Sequence, residues 1–117
     1  MSQRESGYER KERDLYETPE WVTQALVPHI PARVRNVWEP AAGSGKMVRA
    51  LESAGYSVVG TDIDHGKDFL TWNGPILGHA IITNPPYVHA REFIERAINL
   101  MFAGGGVVAM LLRTDFD

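Results

Sequence analysis

The chain predicts an α/β fold, a doubly wound and mostly parallel sheet with helices on both faces. Three observations predict it. From Asn36 to Asp64 a short strand, a glycine turn, a helix and a second strand ending in an acidic residue follow one another, which is the order of a right-handed βαβ unit. The run from Val107 to Leu112 is wholly apolar, as expected of a strand that a parallel sheet buries on both faces. Just before it, a helical period from about Ala90 to Phe102 puts Phe93, Ile94, Ala97, Ile98 and Met101 on one side, as a crossover helix requires.

Length and composition narrow the function. At 117 residues with 44% hydrophobic content, the chain is one small domain or a piece of a larger one. No run approaches the roughly 18 apolar residues of a membrane span, and no charged-then-apolar leader is present, so a cytoplasmic protein without membrane contact is expected. There is no cysteine, which excludes disulfides, thiolate metal sites and cysteine nucleophiles. The four histidines, His29, His65, His79 and His89, have no ligand spacing, and no metal is assigned. A net charge of −3 is not the footprint of a domain that holds nucleic acid alone, though it suits a cofactor-binding portion whose nucleic-acid contacts come from elsewhere.

Taken in order, residues 1–14 alternate four basic and four acidic side chains with almost nothing to bury, which predicts a mobile tail ahead of a domain spanning 15–117. Thr18 then suits a helix cap, Pro19 the first helical position and Glu20 the positive end of the dipole. That helix should run to about Val27 with Val22, Ala25 and Leu26 inward, stopped by Pro28 and Pro31. Asn36–Glu39 is the first strand. A helix from about Lys46 to Ala54 follows the turn, with Gly55 as its cap. Tyr56–Thr61 is the second strand, with Val58 and Val59 its buried middle. Between Asp64 and His79 a doubly wound fold would place a full helix and strand, for which the residues are too few; Asp68–Leu70 fits a clipped strand end, and Asn73-Gly74-Pro75 a turn. His79–Thr83 feeds Asn84-Pro85-Pro86-Tyr87. After Gly104-Gly105-Gly106 comes the last strand, the fifth on this count, with no further helix to cover it before Asp117. A truncated product is expected, or a minimal domain completed by oligomerisation.

The residues that carry chemistry lie at strand ends. In Asn84-Pro85-Pro86-Tyr87 two prolines remove two donors and fix two φ angles, which makes a stiff, carbonyl-rich turn. Its amide, free carbonyl and ring could accept hydrogen bonds from a planar amine and stack on that amine's ring. Gly43 and Gly45 sit between strand and helix, where the backbone can approach a ligand closely. The third glycine of a dinucleotide fingerprint is missing, and so is the lysine-serine or lysine-threonine of a phosphate loop. Glu39, acidic and just before the turn, suits a cationic ligand better than a pyrophosphate. Asp62, 19 residues past Gly43 (62 − 43), stands where a carboxylate accepts ribose hydroxyls in a nucleotide-binding βαβ unit. Asp64 is a second candidate for that role.

Glu39-Pro40-Ala41-Ala42-Gly43-Ser44-Gly45, Thr61-Asp62-Ile63-Asp64, Asp68-Phe69-Leu70 and Asn84-Pro85-Pro86-Tyr87 occur in the order seen in class I S-adenosylmethionine-dependent methyltransferases. The chain most resembles those that methylate the N6 amine of adenine in DNA, over roughly Tyr16 to Leu112. The resemblance implies a Rossmann-like fold and S-adenosyl-L-methionine as cofactor. It places Glu39, Pro40, Ala41, Gly43 and Gly45 around the methionine part, Asp62 and Ile63 at the ribose, and Asp68 with Phe69 at the adenine. Thr18-Pro19 resembles the segment that folds over the methionine carboxylate. Two departures stand out: Asp68 follows Asp62 by only six positions (68 − 62), and the target-recognition segment of many such enzymes is missing.

The implied chemistry has Asn84, Pro85 and Tyr87 as the catalytic group and Asn84, Pro86 and Tyr87 against the substrate base. An aromatic amine is a poor nucleophile because its lone pair is delocalised into the ring. If Asn84 Oδ1 and the Pro85 carbonyl each accept one N–H, the nitrogen can pyramidalise toward a methyl group held in line at about 3 to 3.5 Å. Stacking on Tyr87 would supply roughly 1 to 3 kcal/mol toward the few kcal/mol needed to flip a base out of DNA. The same turn suits methylation of a glutamine side-chain amide in a protein or of a guanine amine in RNA. A non-catalytic cofactor-binding module is the alternative of a different class.

Overall fold

The computed structural model describes residues 17–112. The predicted tail, residues 1–14, lies outside the described residues. Four parallel strands, β1 (Asn36–Glu39), β2 (Ser57–Gly60), β3 (Ala80–Thr83) and β4 (Val107–Met110), form one sheet in the order β2-β1-β3-β4. Register runs Val37 to Val58 on one side of β1 and Val37 to Ala80 on the other, and Ala80 to Val107 beyond. The helices are α1 (Glu20–Leu26), α2 (Lys46–Ser53) and α3 (Ala90–Phe102).

Alternation along the strands divides the core in two. Val37, Ala80 and Ile82 pack with Met47 and Leu51 of α2 and with Ile30 and Val34, which follow α1. Trp38 and Ile81 point the other way, onto Phe93, Ala97 and Met101 of α3 and onto Phe69. Helices therefore cover both faces, as expected. No described helix is long and apolar enough to cross a membrane.

The sheet has four strands where the sequence predicts five. Asp68-Phe69-Leu70 is not a strand end: Asp68 Oδ1 accepts the Leu70 N–H at 3.0 Å and caps a single 3-10 turn, Phe69–Thr71. Its side chains fill this face beside α3. The Phe69 ring meets Trp38 edge-on at 5.3 Å and Phe93 at 5.0 Å, and Trp72 lies 5.3 Å from Trp38. Such pairs contribute about 0.5 to 1.5 kcal/mol each beyond their burial. The aromatic fill reaches β1 but stops short of β2, so Val59, expected inside, is 44% exposed.

Helix limits agree with the sequence within a residue or two, while the inward faces differ. After α2 the Gly55 N–H bonds to the Glu52 carbonyl and the Tyr56 N–H to the Leu51 carbonyl, the paired bonds of a Schellman stop. In α1 the buried residue is Thr23, its hydroxyl without a hydrogen-bond partner among the described residues, and Ala25 is exposed. Ile98, expected on the inner face of α3, is 51% exposed because that face is centred on Ala90, Phe93, Ala97 and Met101.

Gly78 leads into β3 directly beside β1. A Cβ there would stand 2.8 Å from the Trp38 amide nitrogen and 2.9 Å from the Val37 carbonyl carbon, and backbone cannot rotate away as a side chain can. Gly78→Ala should lower the unfolding free energy by about 1 to 3 kcal/mol. Gly104→Ala, which meets nothing within 4 Å, should change it by less than about 0.5 kcal/mol; urea unfolding midpoints of the two variants check the contrast.

Candidate functional site at the carboxyl ends of the strands

The chain winds outward from β1 to β2 and, in the opposite direction, from β3 to β4. Crevices for ligands open at such a reversal, outside the carboxyl ends of the strands. Here those ends are Glu39 on β1 and Thr83 on β3, and the two are joined. The Glu39 carboxylate is 2% exposed; one of its oxygens accepts the Ala41 N–H at 3.0 Å and a very short bond from the Thr83 hydroxyl. A buried carboxylate without such donors would be strongly disfavoured.

Asp62, 1% exposed at the start of the turn after β2, is held in the same way. Its Oδ1 accepts the Gly43 N–H at 2.9 Å and its Oδ2 the Asp64 N–H at 3.0 Å. The Ala42 N–H adds a bond to the Thr61 carbonyl, and the Thr61 N–H one to the Glu39 carbonyl. The glycine turn is thus sewn to the end of β2. Gly43, at φ +55°, has nothing within 4 Å of a would-be Cβ, so its missing side chain leaves open space at the mouth of the crevice. Gly45, at φ +93°, begins α2.

The third buried carboxylate, Asp68, is 4% exposed and turned onto the Leu70 amide. Phe69 is 1% exposed, its ring enclosed by Trp38 and Phe93. Phe69, Ile63 and Ala41 belong to one buried apolar cluster with Trp38. Pro40 is also fully buried. Asp64, the second candidate for the ribose, is exposed in the 3-10 turn Ile63–His65.

Asn84-Pro85-Pro86-Tyr87 leaves β3 immediately after Thr83, whose own carbonyl accepts the Leu111 N–H. Asn84 and Tyr87 are half-buried and the two prolines buried. Pro86 packs inward completely, and its carbonyl takes the His89 N–H at 3.0 Å. That bond engages the Pro86 carbonyl, not the Pro85 carbonyl. Asn84 Nδ2 donates to Thr18 Oγ1 at 3.1 Å. Thr18 therefore does not cap α1 as the sequence predicts: Pro19 occupies the cap position, and no side-chain bond closes the helix start.

The residues expected at a site thus divide into groups. Thr18, Glu39, Gly43, Asp62 and Asn84 are linked by hydrogen bonds or chain adjacency at one end of the sheet, whereas Pro40, Ala41, Ile63, Phe69 and Pro86 support them from below. Thr83 was not among the expected residues. Its signal was there to read, a lone hydroxyl closing the apolar run Ala80-Ile81-Ile82, since a buried hydroxyl needs a partner.

For a ligand, the arrangement offers two inward-drawn carboxylates, an uncovered glycine backbone and a turn rich in acceptors. Thr83→Val, which keeps the shape and removes the donor, should cost about 1.5 to 3 kcal/mol, the range for a hydrogen bond to a charged group. Thr83→Ser should retain most of that stability, as read by urea unfolding.

No protein-family model, curated protein or solved structure matches the chain.

Proposed function

We propose that the chain is an S-adenosylmethionine-dependent N-methyltransferase of Rossmann-like fold whose acceptor is an exocyclic amine, with adenine N6 in DNA the preferred one. One observation carries this reading: at the reversal point of the sheet the carboxylate of Glu39 is bonded to Thr83, the residue immediately before Asn84. A carboxylate at the strand end favours a cationic donor, and an amide acceptor favours an amine.

The residues present fit the cofactor. Gly43 leaves its space open, Glu39 would supply the negative charge that a sulfonium calls for, and Asp62 fixes the glycine turn. A carboxylate has about four lone-pair positions, so the two backbone bonds to Asp62 are compatible with ribose hydroxyls, with exposed Asp64 the other acceptor. Phe69 is enclosed, so an adenine ring would meet its backbone and the Asp68 side chain rather than its ring face. S-adenosylmethionine supplies an electrophilic methyl group carried on a cationic sulfur.

The chain's own residues act on the acceptor. Asn84 Oδ1 and the Pro85 carbonyl accept hydrogen bonds from the two amine N–H groups, which localises the lone pair, and the buried prolines stiffen the turn that carries them. Positioning is the main contribution asked of them. Half-buried Tyr87 offers a stacking surface for a flipped base. No acid or base of shifted acidity is needed while the amine holds its protons; the extra proton is lost to solvent after transfer.

Calorimetric titration with S-adenosylmethionine should give a saturable heat, and a folded chain that gives none sinks the reading. Glu39→Gln, which removes the charge and keeps the shape, should weaken cofactor binding by about tenfold, equivalent to one charge-assisted contact of ~1.4 kcal/mol. Asn84→Ala should bind the cofactor nearly as well as wild type while transfer of labelled methyl to adenine-containing DNA falls by at least about 100-fold. Label found in protein or RNA instead of DNA would reassign the acceptor.

A further inference from the structure

A side-chain amide can be presented to a ligand in two ways, oxygen first or nitrogen first, and only the first accepts a hydrogen bond. In this chain the Asn84 amide meets the hydroxyl of a residue 66 positions away. Asn84 Nδ2 donates to Thr18 Oγ1 at 3.1 Å, and Thr18 is only 6% exposed. Both atoms branch from the same carbon, so with Nδ2 held on Thr18 the Oδ1 atom must face away from it. In the reverse arrangement, with the Thr18 hydroxyl donating to Oδ1, the oxygen an amine needs would already be engaged.

We infer that Thr18 is a positioning residue that sets the Asn84 amide with its oxygen toward the acceptor amine, an inference that rests on the proposed methyltransferase reading. Three facts support it. Thr18 is released from helix capping, since Pro19 stands at the start of α1. Asn84 itself follows Thr83, which is held at hydroxyl and carbonyl, so the backbone cannot compensate for a rotated side chain. Finally, a hydroxyl that accepts one bond has its own proton to give. An anionic group beside Thr18-Pro19, where the sequence resemblance would put the methionine carboxylate, would accept a hydrogen bond from that hydroxyl and keep the lone pair of Oγ1 on Asn84. Bound cofactor and oriented amide then favour each other, and linkage makes the effect reciprocal.

The test reads the amide directly. In the ligand-free chain the Asn84 side-chain signals, assigned by their loss in Asn84→Asp, are followed by proton–nitrogen NMR. One amide proton should exchange with solvent about tenfold more slowly than in Thr18→Val, the ratio given by a net hydrogen bond of ordinary strength, and Thr18→Ser should keep the protection. Equal exchange in wild type and Thr18→Val overturns the inference. In single-turnover transfer to an adenine-containing oligonucleotide, Thr18→Val should be slower by about 10- to 100-fold with oligonucleotide affinity unchanged, and Thr18→Ser should restore the rate. Wild-type rates in Thr18→Val overturn the inference and leave the methyltransferase reading standing. A protected amide in a wild-type chain that transfers no methyl upholds the Thr18 contact and overturns that reading instead.

Discussion

The Glu39 carboxylate, drawn under the turn it precedes and bonded to Thr83, is the constraint from which the rest of the site follows. At this point the two halves of the sheet run apart, and a gap is the natural outcome. The Glu39 side chain spans its base because each of its bonds is made with a group that the fold holds still. The Ala41 amide belongs to the glycine turn and the Thr83 hydroxyl to the neighbouring strand. Losing either would leave a buried charge short of a donor, which costs more than the bond itself contributes. The glycine turn and the proline turn are therefore positioned by one side chain.

The segment between β2 and β3 resolves a shortage. With too few residues for a helix and a strand, it substitutes volume for regular structure, with Phe69 and Trp72 packed onto Trp38 and the Trp72 indole N–H donating to the Pro75 carbonyl at 2.9 Å. Aromatic rings cover much area per residue, which is why so short a stretch can seal half a sheet face. The same economy places Asp62 and Asp68 close together in the chain, each with a side-chain oxygen on the amide two residues on.

The fold was legible where periodicity or punctuation decides it. The βαβ order, the Gly55 stop and the limits of α3 all follow from patterns within a few residues. What could not be read depends on neighbours distant in the chain. Val59 is apolar and in phase with its strand, yet exposed where the aromatic packing ends, and Ile98 sits off the face that α3 buries. Asp68 was legible as a carboxylate but not as the cap of its own turn, and Phe69 looked available when it is the centre of a core. Thr18 has a helix cap's sequence context and a different partner, since a competing donor on Asn84 wins when it is brought into range. Site residues were readable as types at strand ends; their division into groups that face the crevice and groups that support it was not.

The contact between Thr18 and Asn84 also bears on how the crevice is entered. Thr18 precedes α1, outside the sheet, and a single hydrogen bond ties its side chain to Asn84. Detaching it costs about 1 to 3 kcal/mol in bond and burial, well below the roughly 5 to 15 kcal/mol that keeps a domain folded. The crevice can thus unlatch on its amino-terminal side while the sheet stays intact, a local opening that hydrogen exchange would register at the start of α1 before any strand. Such an opening needs no rearrangement of the strand ends, only the release of one hydroxyl.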